Sequence, residues 1–120
     1  AFAGSGRRGL ADGQAASATF DTPVDVCVCT DGSVLVVDAG NNCIRMIEML
    51  GDKRLVSTLA GCGRAGSTDG AAATATFDHP TAVVALGAAS GIGSGESVVY
   101  VADSGNHCVR IISVAAGSGE

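Results

Sequence analysis

The chain has 120 residues, of which 47 % are hydrophobic, only 3 % aromatic and none Trp. That is a usual length for one small domain, with a core of Val, Ile, Leu and Ala; its 18 glycines have no three-residue period, which excludes collagen and implies many turns. A net charge of −5, with seven Lys plus Arg and no basic stripe, argues against nucleic acid, and no run of about 18 apolar residues exists to span a membrane as a helix.

The first twenty residues are punctuated by Gly4, Gly6, Gly9 and Gly13 and read as loop. Residues 24–29 are a β-branched run, predicted as a strand, and Asp31-Gly32 is a two-residue hairpin signal. Residues 34–37 form the next predicted strand, Gly40-Asn41 a turn, residues 43–49 a third strand and 55–59 a fourth. After a second Gly-rich loop come predicted strands at 81–86, 98–102 and 108–114. No ten-residue stretch carries the apolar period of a helix.

The chain repeats itself. The run from Ala3 through Asp12-Gly13 matches Ala60 through Asp69-Gly70 at an offset of 57, and Phe20-Asp21-Thr22-Pro23 matches Phe77-Asp78-His79-Pro80 at the same offset. Asp38-Ala39-Gly40-Asn41-Asn42-Cys43-Ile44-Arg45 matches Asp103-Ser104-Gly105-Asn106-His107-Cys108-Val109-Arg110 at an offset of 65. The second copy thus holds eight more residues, within the Gly/Ala/Ser stretch 87–95. Two units follow, 1–61 and 62–120, each built as a four-stranded antiparallel sheet of the kind that makes a β-propeller blade, the second lacking its own outer strand.

These landmarks resemble the NHL repeat, in its long-loop variety. The first copy reads Pro23, Val36-Val37-Asp38, then Asn41-Asn42-Cys43-Ile44-Arg45; the second reads Pro80, Val101-Ala102-Asp103, then Asn106-His107-Cys108-Val109-Arg110. Asn42 departs from the pattern, standing where His107 stands in the second copy. The resemblance implies a β-propeller, commonly six-bladed, that acts as an interaction platform. It also brings an alternative, a metal-dependent propeller lyase or lactonase with a channel metal.

The repeated Asp38, Asn41, Cys43 and Arg45, with Asp103, Asn106, His107, Cys108 and Arg110, are read as structural signature residues. A site sits in one place, whereas a fold signature recurs. Asp38 and Asp103 suit turn capping or pairing with Arg45 and Arg110. The Gly-x-Gly runs at Gly4 and Gly61 lack the helix and Lys that a phosphate loop needs. His79 and His107 are the only histidines, and no carboxylate partner follows from their spacing. No nucleophile elbow is visible. The expectation is a non-catalytic module with no cofactor and no metal, presenting loops to a protein ligand.

Five cysteines, an odd number, argue against a fully disulfide-bonded secreted domain. They are expected to be reduced and point to an intracellular setting. No signal peptide opens the chain, and a start at Ala1 without Met suggests a processed or excised piece.

Two blades leave two apolar faces open. Residues Phe2, Ala3 and Gly4 align with the end of the fourth strand, while the second copy stops where its own fourth strand should begin. The expected solution is head-to-tail assembly, with the second blade completed in trans by Phe2, Ala3 and Gly4 of another chain. Three chains would give six blades, a homotrimer.

Overall fold

The computed structural model describes residues 1–61, 66, 75–86 and 96–115. The eight extra residues of the second copy, and Cys62, lie outside these.

Within the described residues the chain is built of strands. β1 (Gly13–Gln14), β2 (Pro23–Val28), β3 (Val34–Asp38), β4 (Cys43–Leu50) and β5 (Lys53–Ala60) make one antiparallel sheet in the order β1-β5-β4-β3-β2. β6 (Pro80–Leu86), β7 (Glu96–Asp103) and β8 (Cys108–Ala115) make a second in the order β6-β7-β8. Up-and-down meanders of this kind make propeller blades, with β2 and β6 as edge strands.

An unbroken apolar run such as Val34–Val37 gives a strand two apolar faces, as a blade buried between neighbours requires. In β3, Leu35 and Val37 point to one side and Val34 and Val36 to the other. The first pair joins Ile44 and Ala60 against Phe77 and against Val83, Val99, Val101 and Ile112 of the second sheet, and this is the main core. Leu35, Ile44, Val99 and Val101 are at most 1 % exposed. Burial of each such side chain contributes about 1.5–3 kcal/mol. The second cluster, Ala15, Ala18, Val36, Ile47 and Val56, covers the opposite side of the first sheet.

Two features differ from the sequence reading. β1 is an added fifth strand on the first sheet: the loop before β2 folds back, pairing Gly13 with Val56 and Gln14 with Leu55. The β2–β3 hairpin has a three-residue loop, not two. Cys29 N–H donates to Ser33 O at 2.8 Å, Gly32 N–H donates to Cys29 O at 2.9 Å, and Gly32 takes φ +92°. Asp31 therefore sits inside the turn and Gly32 supplies the left-handed residue after it. The Asp31 carboxylate accepts from the Ser33 hydroxyl at 2.6 Å and from its N–H at 2.9 Å, which holds it below the usual carboxylate range.

Each sheet turns the same corner, between β3 and β4 in the first and between β7 and β8 in the second. After Asp38 comes a 3-10 turn, Ala39–Asn41, ended by left-handed Asn42; after Asp103 comes Ser104–Asn106, ended by left-handed His107. Gly40 N–H donates to Asp21 O and Gly105 N–H to Asp78 O, both at 2.8 Å. A Cβ on Gly40 would lie 2.7 Å from that same carbonyl oxygen, so only glycine fits.

Candidate functional site

The signature residues come together at these corners. Asp38, fully buried at the end of β3, accepts three hydrogen bonds. Its Oδ1 takes Asp21 N–H at 2.7 Å, and its Oδ2 takes Asn41 Nδ2 at 2.7 Å and Arg45 Nη1 at 2.8 Å. The second sheet repeats the set. Asp103 Oδ1 takes Asp78 N–H, and its Oδ2 takes Asn106 Nδ2 and Arg110 Nη1, all at 2.8 Å.

Arg45 is fully buried and carries more than its aspartate. Nη1 also reaches Thr19 O at 2.8 Å, and Nη2 reaches Ala11 O and Asp12 Oδ1, each at 2.9 Å. Its guanidinium lies 4.8 Å from the centre of the Phe20 ring; Arg110 lies 4.9 Å from that of Phe77 and bonds Thr76 O at 2.9 Å. A planar fork matched to carboxylate and carbonyl acceptors is what Arg supplies and Lys does not. Asn41 and Asn106 extend the network to Gly9 O and Gly66 O at 2.7 and 2.6 Å. Each cluster thus ties the long loop before its blade to the middle of the blade. Asp12, which reads from sequence as a plain turn residue, is a second carboxylate on Arg45 and also accepts from the Thr58 hydroxyl at 3.1 Å.

Cys43 is buried at the start of β4, while its counterpart Cys108 is exposed at the start of β8. Cys27 and Cys29 are free thiols of β2 and of the residue just after it, packed against the main core, and burial pushes both up from the usual thiol value. The two histidines stand apart in role. His79 Nδ1 contacts Asp78 Oδ1 at 2.8 Å, and His107 is an exposed corner residue. Among the described residues no three His, Cys, Asp or Glu gather as a metal-binding group.

Sequence reasoning missed the polar contacts between the sheets. Asp25 of β2 accepts Val83 N–H of β6 at 2.9 Å, and Asn42 Oδ1 accepts His79 N–H at 2.8 Å. His79 and its counterpart Thr22 both have positive φ, +50° and +57°, immediately before a proline. Proline disfavours helical φ/ψ in the preceding residue, and for β-branched Thr22 a positive φ is strained.

The outer faces complete the site. Residues that are exposed on the far side of the second sheet are repeat counterparts of core residues in the first. Tyr100 answers to Leu35, and Val109, 71 % exposed, answers to Ile44, which is fully buried. On the near side of the first sheet, Val26 is 59 % exposed where its counterpart Val83 is 4 %. A groove of about 460 Å³ opens there among Phe2, Phe20, Val26, Val34, Val36 and Ile47. Phe2 and Ala3 form one of its walls, with Arg54 Nη1 donating to Phe2 O at 2.9 Å and its guanidinium stacked 4.2 Å from the Phe2 ring centre.

The NHL repeat family matches residues 20–46, the stretch from Phe20 through the first Asp–Asn–Arg corner. The chain is similar to Protein SUPPRESSOR OF QUENCHING 1, chloroplastic, of Arabidopsis thaliana: 29 % identical over 106 residues, covering 88 % of this chain and 9 % of that protein. It is also similar to a solved structure, a structural genomics protein of unknown function from Bacteroides thetaiotaomicron VPI-5482. There the TM-score is 0.74 at 27 % identity, covering 92 % of this chain and 26 % of that one. The chain thus spans about a quarter of the solved relative and under a tenth of the curated one. Residues 20–46 are an NHL repeat, within a chain whose described residues form two antiparallel sheets of the kind that makes propeller blades.

Proposed function

We propose that the chain is a non-catalytic β-propeller module that closes a ring with further blades and presents its loops to a protein ligand. The observation that carries this reading is the state of the two outer faces. They are apolar and exposed, while their counterparts inside the chain form the core. A sheet face of that kind is an interaction surface. The signature polar groups support the same reading, because the Asp carboxylates, the Asn amides and the Arg Nη1 groups are engaged in tying loops to strands. Three chains, supplying two blades each, give a six-bladed ring.

Metal analysis of the protein purified without chelator tests the non-catalytic part. The expected result is well below one transition metal per chain. Stoichiometric metal would overturn it and favour a channel-metal lyase or lactonase.

A further inference from the structure

The junction between the two sheets is a template for what the outer faces accept. We propose that a second copy of this chain docks head-to-tail across them, its Ala1–Gly4 segment adding to the open edge of β8 with Ala3 opposite Val109. The proposal rests on the reading of the chain as an assembling propeller module, and names the surface and the register.

Strand addition has the most specific support. In the first sheet Ala60 ends β5 opposite Ile44 of β4. Gly61 follows with φ +95°, so close to Cys43 that a Cβ would lie 2.8 Å from its Cα. Ala3 and Gly4 are the repeat counterparts of Ala60 and Gly61. Gly4 already holds φ +106°, and Ala3 already packs on Val36, Ile47 and their neighbours as Ala60 packs on Phe77 and Val83. The segment is therefore set as the end of a fourth strand, on the near face of the first sheet. The sheet it fits is one ending in β8, whose outer edge has no strand among the described residues. An open edge of this kind takes an added strand through main-chain hydrogen bonds.

The corner contact points the same way. Inside the chain, left-handed Asn42 accepts His79 N–H. The counterpart amide, that of Thr22, has no such acceptor among the described residues. It borders a second groove, of about 420 Å³, with Gly6, Arg8 and Asp21 on its walls. The counterpart of Asn42 is His107, exposed and left-handed at φ +57°. In the docked pair a neutral His107 ring nitrogen takes the Thr22 amide of the next chain. The second internal contact has no equivalent: Asp25 is replaced by Ala82. The junction between copies is thus the weaker of the two, and the two-sheet unit persists when it opens.

The test uses two variants at exposed positions, Val109→Arg on the far face and Val26→Asp on the near face. Each blocks one face and leaves the other intact. Each alone is expected to lose self-association by at least tenfold, with the wild-type β-type circular dichroism retained. Mixed in equal amounts, they are expected to form a one-to-one pair through the two unblocked faces. Wild-type assembly by either variant alone, or no pair on mixing, would overturn the docking while leaving assembly by another surface standing. Wild-type protein that stays one chain in mass at the same concentration would overturn the assembling reading itself, and leave these faces to blades of a different chain. As a check on register, Ala3→Cys with Val109→Cys in a Cys108→Ser background is expected to give a ladder of oxidised, covalently linked chains. A double variant that oxidises only within one chain would refute the register.

Discussion

The Asp25 carboxylate of the first sheet accepts the Val83 amide of the second at 2.9 Å. β6 is an edge strand, so this amide has no strand neighbour on that side, and a side chain from the adjoining blade takes the place of one. Hydrogen bonds to charged groups contribute about 1.5–3 kcal/mol. Asp25→Ala is expected to cost that much in urea unfolding, and Asp25→Asn, which keeps an acceptor, under half of it. Equal losses for the two would show that packing, not the hydrogen bond, matters at this position.

The same relationship yields a gain of function. Ala82 is the repeat counterpart of Asp25. Ala82→Asp places an acceptor opposite the Val26 amide of a docked copy, and is expected to tighten self-association severalfold in a dilution series. Unchanged or weaker association would contradict the equivalence of the two junctions.

Arg45 and Asp38 are both fully buried and 2.8 Å apart. Removing one partner of such a pair leaves a buried charge uncompensated, at about 3–5 kcal/mol. Arg45→Met and Asp38→Asn are each expected to lower stability by that order. Arg45→Lys is expected to recover little, because one ammonium cannot span Asp38, Asp12, Thr19 O and Ala11 O. Denaturant midpoints check this, and near-wild-type stability for Arg45→Lys would contradict it.

Much of the fold was legible because its constraints are local. Alternating Val and Ile mark the strands, and the recurrence of Asp38, Asn41 and Arg45 as Asp103, Asn106 and Arg110 marks two copies of one corner. What the sequence hid is long-range. β1 exists because residues 13 and 14 meet 55 and 56, and Asp12 reaches Arg45 across 33 positions. The Asp25–Val83 contact spans 58 positions. It follows no repeat rule, since the second copy has alanine there. The hairpin at Asp31-Gly32 was misread by one residue because the same dipeptide suits two- and three-residue loops.

Cys27 and Cys29 give the pH response its sign. Burial, with the neighbouring Cys29 thiol acting on Cys27 and the Asp31 charge on Cys29, raises both above the ordinary 9.0. The folded state therefore holds these protons more tightly than the unfolded chain. Its contribution is fully present below pH 9.0 and is lost as pH rises through the raised values. Stability is expected to fall on going from about pH 8 to above pH 10, and to fall less in the Cys27→Ala, Cys29→Ala double variant. An identical pH slope in the two proteins would show that these thiols are not responsible.

Both outer faces carry the apolar residues that the inner junction buries, so the central claim concerns mass. Light scattering on the purified chain at tens of micromolar measures it directly. The account predicts a monodisperse particle with the mass of three chains, two blades from each. A monodisperse, folded particle with the mass of one chain would contradict it.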